Sequence, residues 1–232
     1  MPSHLANPLI LDVPVVLLDM NGTFMFGGDR FGPDETYAPA YHALGGTLPA
    51  EVVDAAVAAA FAYLNVRYTD PAYHDAFPSV AEALLSVPEG RDLPTHDRRL
   101  IEGTFALHEV GHVPPEYVHV LQQLSRRHRL GLVADIWAER GAWERELNRA
   151  GVLRLFEALV FSSDGRSVKP SPEPFLRALQ RLGAHPSEAV VVGDSARRDG
   201  GGAEAAGLPF VLVGGEEHPG ALGQVDSLLT LA

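Results

Sequence analysis

The sequence predicts an α/β fold, a doubly wound parallel sheet, with a helical segment inserted after the first strand. Four short runs rich in Val, Leu and Phe end in Asp or Gly, at 14–19, 130–135, 189–194 and 209–214, and a weaker run occupies 158–161. Continuous apolar runs without alternation are typical of strands that are covered on both faces. Helical patterns separate these runs, and strand alternating with helix predicts a doubly wound sheet.

The helices between the later strands are predicted from apolar residues at helical spacing, over 115–128, 140–151 and 171–183. The last of these carries Pro172 and Pro174 in its first turn and ends at Gly183. Proline near the start of a helix and glycine just past its end is the order that helix termini favour.

About a hundred residues separate the first strand from the second, and they contain no convincing strand. Helix-spaced apolar residues occur instead at 49–68, 79–87 and 95–110, and loops that contain proline separate them. An insert directly after the first strand lies over the carboxyl ends of the strands, where open α/β sheets bind ligands. We therefore predict that these helices form a lid over a ligand site.

Composition excludes several classes of protein. Of the 232 residues, 46% are hydrophobic and 21% charged, which is typical of a soluble globular protein. A formal net charge of −12 opposes binding to nucleic acid or to an anionic membrane. The chain has no cysteine, hence no disulfide and no thiolate chemistry. No apolar run approaches the roughly 18 residues of a membrane span, and the first residues lack a basic segment, so we expect a cytoplasmic protein.

Polar residues follow the predicted strands at the points where these end. Asp19, Asp135 and Asp194 each close an apolar run, Lys169 follows the weak strand, and Asp199 lies five residues beyond Asp194. In a parallel sheet these side chains gather at one edge. Clustered carboxylates repel each other unless a cation joins them, and an all-oxygen set suits Mg²⁺. This pattern indicates phosphoryl chemistry.

Four motifs in order resemble the haloacid dehalogenase superfamily, in its phosphatase-like branch. They are "DMNGT" at 19–23, "VAD" at 133–135, "KPSPEPF" from 169 and "GDSARRD" at 193–199. The resemblance implies a Rossmann-like core formed by 1–28 and 113–232 and a helical cap of the C1 type at 29–112. It also implies a Mg²⁺-dependent hydrolase, a phosphatase of a small phosphorylated metabolite.

The resemblance further assigns a role to each matching position. Asp19 would be the nucleophile that forms an aspartyl phosphate, and Asp194 and the backbone carbonyl of Asn21 would join it in binding the metal. Lys169 would hold Asp19 in place and offset the charge of the phosphate. Asp199 would orient Lys169 or a metal-bound water.

The remaining matching positions would bind the phosphate. Gly22 and Thr23 would form the turn that aims backbone N–H groups at it, and Ala134 and Asp135 stand where the second motif contributes to phosphate binding.

Two residues depart from the family pattern. Asn21 stands where family phosphatases have an Asp that transfers protons, and losing a general acid/base costs about 10² to 10⁴ in rate. Ala134 stands where a Ser or Thr hydroxyl binds phosphate, and a lost hydrogen bond to a charged group costs roughly 1.5 to 3 kcal/mol. We expect metal and ligand binding to persist while turnover falls. Deamidation of Asn21 before Gly22 would restore the acid.

Alternative functions follow from the same residues. A catalytically weak or inactive homologue would bind a phosphorylated ligand or a protein partner. A dehalogenase reaction is disfavoured because "GDSARRD" keeps the metal carboxylates. Gly200, Gly202 and Ala205 fit a dinucleotide-binding G-x-G-x-x-A pattern, but the preceding strand ends too early, at Asp194.

Other side chains have no role in the family pattern. The loop 24–32 contains four candidate substrate contacts, Phe24, Phe26, Arg30 and Phe31. We expect Arg197 and Arg198 to be solvated and Trp137 and Trp143 to be packing residues.

Overall fold

The sheet has six strands, all parallel, in a computed structural model that describes residue 10 and residues 12–231. The strands are β1 Val15–Leu18, β2 Arg129–Ala134, β3 Phe156–Phe161, β4 Ala189–Gly193, β5 Phe210–Val213 and β6 Gly223–Val225. Their order is β3-β2-β1-β4-β5-β6, so β1 lies between β2 and β4. The predicted doubly wound α/β fold is confirmed. The sequence did not predict β6, because its three residues form no apolar run.

Six α-helices lie between β1 and β2, and the first five of them fall within the segment expected to form the helical insert. These five are α1 Ala38–Ala43, α2 Ala50–Tyr68, α3 Val80–Ser86, α4 Pro88–Arg91 and α5 Thr95–Glu109. The start of α3 carries a capping box, in which the Ser79 side chain accepts from the Glu82 N–H and the Glu82 carboxylate accepts from the Ser79 N–H. The later helices are α6 Pro115–Leu124, α7 Gly141–Arg149, α8 Ser162–Gly165, α9 Glu173–Leu182 and α10 Gly201–Ala205.

The segments that enter and leave the helical insert pair with each other. Phe26 and His112 exchange backbone hydrogen bonds of 2.9 and 2.8 Å, and the Arg30 N–H donates to the His108 carbonyl at 3.0 Å. The Arg30 guanidinium also donates to the carbonyls of Gly27, Leu107 and Val110. These bonds hold the two ends of the insert together beside the carboxyl end of β1.

The side chains of β1 point alternately into two apolar layers. Val16 and Leu18 join the larger layer, which includes α6, α7 and helices of the insert, whereas Val15 and Leu17 join the layer under α9 and α10. All four side chains are at most 1% exposed. Burial on both faces explains why this strand is a continuous apolar run. In the described part of the chain, no helix combines the length and the apolar character that crossing a membrane requires.

Candidate active site

The carboxylates of three aspartates meet at the carboxyl end of the sheet. Asp19 follows β1, Asp194 follows β4, and Asp199 lies in the π-helical turn Ala196–Gly200. One oxygen from each of the three lies within 4.8 Å of the others. The five-residue spacing of Asp194 and Asp199 is accommodated by this wider turn, and such turns are frequent at functional sites.

Lys169, the one lysine in the sequence, neutralises part of this cluster from the loop after β3. The side chain is 2% exposed. Its ammonium donates to Asp19 Oδ1 at 2.5 Å, to Asp199 Oδ1 at 2.7 Å and to the Val133 carbonyl at 3.3 Å. Burial lowers the pKa of Lys169, but the adjacent Asp19 and Asp199 carboxylates raise it overall. The ammonium therefore stays charged, and all three of its protons have acceptors.

Asp19 is 6% exposed, and both of its carboxylate oxygens accept hydrogen bonds. Oδ1 accepts from Lys169, and Oδ2 accepts from the Thr23 hydroxyl at 3.1 Å. Burial raises the pKa of Asp19 to about 7; Lys169 opposes the shift, and the neighbouring Asp199 and Asp194 add to it. One ammonium thus does not balance the three carboxylates.

The turn after Asp19 is closed by its own backbone. The Gly22 N–H donates to the Met25 carbonyl at 3.0 Å and the Thr23 N–H to the Met20 carbonyl at 3.2 Å. Both N–H groups expected to point at a phosphate are thus used within the turn in this structure. Gly22 serves a steric purpose instead. It has φ +78°, and a Cβ there would lie 2.1 Å from Asp194 Oδ2.

Ala134 ends β2 and Asp135 follows it, at the positions expected of a phosphate-binding pair. Ala134 is 2% exposed and offers only a methyl group. Asp135 accepts from the Lys169 backbone N–H at 3.2 and 3.1 Å and from the Tyr68 hydroxyl at 2.8 Å. Through these bonds the Asp135 carboxylate orients the backbone at Lys169 and connects α2 of the insert to the end of β2. It provides no donor to a phosphate.

A cavity of about 310 Å³ opens between these carboxylates and the insert. Sequence reasoning missed several of its lining residues, namely Phe61, Asn65 and Tyr68 of α2, Thr69 at the C-cap of that helix, and Asp29 and Glu109. Phe61, Asn65 and Tyr68 recur at helical spacing on one face, which is the signal that could have identified them. Three further lining residues were expected to serve elsewhere: Trp137 as a packing residue, and Arg197 and Arg198 as solvated residues.

Trp137 has both a packing role and a position in the cavity wall. Its ring stacks on Phe61 at 5.6 Å between centroids and meets Tyr68 edge-on at 5.2 Å. Glu109 fixes the Trp137 backbone, because its carboxylate accepts from the N–H groups of Trp137 at 2.5 Å and Ala138 at 2.9 Å. Burial raises the pKa of Glu109 to about 8. The last residue of α5 is thereby joined to the loop after β2.

The candidate contacts in the loop 24–32 lie elsewhere. Phe24 is buried against Phe156, and Phe31 stacks between Phe61 and Phe105 at 4.6 and 4.5 Å. Phe26 packs on Tyr117 at 4.9 Å. These side chains and Arg30 support the insert and do not line the cavity.

The glycines of the G-x-G-x-x-A pattern are explained by packing. A Cβ at Gly200 would lie 2.9 Å from the Phe210 ring, and one at Gly202 would lie 2.6 Å from the Phe175 ring. These glycines let the turn after β4 approach β5 and α9 closely. The dinucleotide interpretation therefore has no structural support.

Comparisons with known proteins agree with this geometry. A family model described as haloacid dehalogenase-like hydrolase matches residues 13–207. Glyceraldehyde 3-phosphate phosphatase of Methanopyrus kandleri is 37% identical over 100 residues, which are 43% of this chain and 42% of that protein. The matched segment thus spans less than half of this relative's length.

Two solved structures resemble the whole chain. A HAD phosphatase from Thermococcus onnurineus has a TM-score of 0.54 at 23% identity and covers 94% of this chain and 95% of its own. A 2-haloacid dehalogenase from Pseudomonas syringae pv. Tomato has a TM-score of 0.63 at 21% identity, with 94% and 96% covered. At these identities the likeness concerns the fold. The family match over most of the sequence, together with the ordered site residues, shows that the chain belongs to the haloacid dehalogenase-like hydrolases.

Proposed function

We propose that this protein is a Mg²⁺-dependent phosphatase of a small phosphorylated molecule, with Asp19 as the nucleophile. The observation that carries this proposal is the contact of Asp19 with Lys169 inside a buried carboxylate cluster at the end of β1. Relatives named as phosphatases support the choice of phosphate esters. In this proposal, residues 29–112 act as the cap that closes the site.

The acidic cluster fits a divalent cation. Asp19, Asp194 and Asp199 offer only oxygen ligands, which Mg²⁺ prefers, and a single ammonium leaves negative charge in excess. Asp19 and Asp194 would hold the ion, with the Asn21 carbonyl as a further ligand. Of the two roles expected of Asp199, the hydrogen bond of 2.7 Å that it accepts from Lys169 favours the orientation of Lys169 over that of a metal-bound water. When bound, Mg²⁺ supplies positive charge that offsets the charge developing on the transferred phosphoryl group.

The chain's own residues account for the two halves of the reaction. A carboxylate oxygen of Asp19 attacks phosphorus, the bond to the ester oxygen breaks, and the phosphoryl group is carried as an aspartyl phosphate. Water then attacks this phosphorus, which releases inorganic phosphate and restores the Asp19 carboxylate. Lys169 and Thr23 hold Asp19 in one orientation through both steps, because each donates to one of its oxygens.

Asn21 limits the proton transfers. The departing ester oxygen needs a proton and the attacking water must lose one, and a neutral amide does neither. In the wild type, water or a residue of the insert takes over, or the substrate has a leaving group that needs no proton. We therefore expect turnover to be faster with acyl phosphates than with alkyl esters.

The test is phosphate release from a panel of phosphate esters and acyl phosphates, with and without Mg²⁺. Wild type, Asp19→Asn and Asn21→Asp are compared, with freshly prepared protein whose mass shows no deamidation at Asn21. We expect Mg²⁺-dependent turnover by the wild type and none by Asp19→Asn. For alkyl esters, Asn21→Asp should raise the rate by roughly 10² to 10⁴. Full activity of Asp19→Asn would refute the proposed nucleophile.

Asn21 and Ala134 also favour a second candidate, a binding protein with little or no turnover. Both changes remove groups that act on the phosphate and leave the carboxylate cluster intact. Activity restricted to Asn21→Asp would support this candidate.

A further inference from the structure

Arg198 extends from the turn after β4 into the wall of the candidate active-site cavity. Its side chain is half-buried, whereas that of the preceding Arg197 is exposed. The Ser195 hydroxyl accepts from the Arg198 backbone N–H at 3.3 Å and so fixes the residue at the start of the turn. The guanidinium carbon lies 5.4 Å from the centre of the Tyr68 ring, across from α2.

The guanidinium of Arg198 keeps its donors available. Within residues 12–231, no acceptor forms a hydrogen bond with it and no carboxylate lies within salt-bridge distance. Burial lowers the pKa of the Arg198 guanidinium, but its neighbours raise this pKa by a larger amount, so the net shift is upward. These neighbours are Tyr68, Asp135, Asp199 and Asp19. Arg198 is therefore a charged group that faces the cavity without a direct partner in this part of the chain.

The phosphate donors expected at Ala134, Lys169, Gly22 and Thr23 are missing or occupied. Ala134 has no hydroxyl, all three protons of Lys169 have acceptors, and the N–H groups of Gly22 and Thr23 are used within their turn. A phosphoryl group has three oxygens that need donors when it leaves water. A guanidinium offers a planar set of donors that matches phosphate oxygens two at a time.

We propose that Arg198 binds the phosphoryl group of the substrate and supplies the donors that the Ala134 position lacks. This inference rests on the proposed phosphatase function for the reaction, but phosphate binding itself does not depend on turnover. The guanidinium of Arg198 lies over the face of the Tyr68 ring, and the Tyr68 hydroxyl donates in turn to Asp135.

The experiment measures inorganic phosphate binding by calorimetry in the presence of Mg²⁺, together with KM and kcat for the best substrate of the panel. Wild type, Arg198→Met and Arg198→Lys are compared with Arg127→Met, which removes the same charge from an exposed residue that precedes β2 and does not line the cavity. Loss of hydrogen bonds to a charged group predicts roughly 10- to 100-fold weaker phosphate binding and a similar rise in KM for Arg198→Met. Arg198→Lys should recover part of this loss, and Arg127→Met should change either value less than about threefold because its side chain is solvated.

The outcomes separate this inference from the proposed function. If Asp19-dependent turnover is present but Arg198→Met binds phosphate like Arg127→Met, the role of Arg198 is refuted and the phosphatase function stands. If no turnover is found but Arg198→Met still loses phosphate affinity, the phosphate-binding role stands and the phosphatase function fails. Wild-type protein that binds no phosphate refutes the inference. Thermal unfolding of each variant shows that the fold is retained, since the Arg198 side chain forms no hydrogen bond within residues 12–231.

Discussion

Replacement of Lys169 by methionine tests the buried charge network. The ammonium group donates to two aspartates and one carbonyl and is almost fully buried. Methionine keeps much of the side-chain length but removes the charge, so Asp19 and Asp199 lose their shared donor while they stay buried. Removal of one partner of a buried ion pair costs about 3–5 kcal/mol. We expect the free energy of unfolding of Lys169→Met to fall by this amount.

A double-mutant cycle with Asp199→Asn identifies the source of that loss. In Asp199→Asn alone, the ammonium retains Asp19 as its partner. When both substitutions are present, one of the two uncompensated carboxylates is gone. The combined loss should therefore be smaller than the sum of the single losses by about 0.5–3 kcal/mol.

Urea unfolding near neutral pH, with a chelator present, measures these free energies without a contribution from bound metal. Arg129→Met is the control, because it breaks an ion pair with Glu157 whose side chains are 44% and 51% exposed. We expect that control to cost at most about 1 kcal/mol. A Lys169→Met protein as stable as Arg129→Met, or strictly additive losses in the cycle, would show that Lys169 does not compensate the carboxylates.

Two further predictions concern Glu109 and Gly22. Burial raises the pKa of Glu109 from 4.5 to about 8, so the folded protein keeps a proton that the unfolded chain releases within this range. This contribution to stability is complete below about pH 4.5 and is lost as the pH rises toward 8. The difference in free energy of unfolding between wild type and Glu109→Gln should therefore shrink across that window in urea unfolding; a constant difference would contradict the assignment. Gly22→Ala places a Cβ against Asp194 at a positive φ, whereas Gly214→Ala has a similar φ of +83° with nothing within 4 Å. Both substitutions should lose about 1–2 kcal/mol from backbone strain, and Gly22→Ala should lose more because its Cβ clashes with Asp194. Only Gly22→Ala should weaken the stabilisation by Mg²⁺ in thermal unfolding. Equal Mg²⁺ responses would argue against a cation beside Asp194.

Much of the sheet and the charged centre of the site could be predicted from the sequence. Parallel strands that are buried on both faces require continuous apolar runs, and each run marks where its strand ends. Because these ends share one edge, Asp19, Asp194 and Lys169 could be placed together before any contact was known. Asp199 could be placed in the same group because it lies only five residues beyond Asp194 along the chain.

The tertiary structure alone decided which side chains complete the cavity. The hydrogen bond from the Tyr68 hydroxyl to Asp135 joins residues that are 67 positions apart in the sequence. It depends on how the helical insert packs on the sheet. The same packing turns Glu109 toward the loop after β2 and leaves Arg198 facing the cavity without a hydrogen-bond partner within residues 12–231. Local patterns determined the strands and the order of the motifs, since these depend on neighbouring residues. The orientation of the insert arises from the sum of many distant contacts, so only the folded chain shows it.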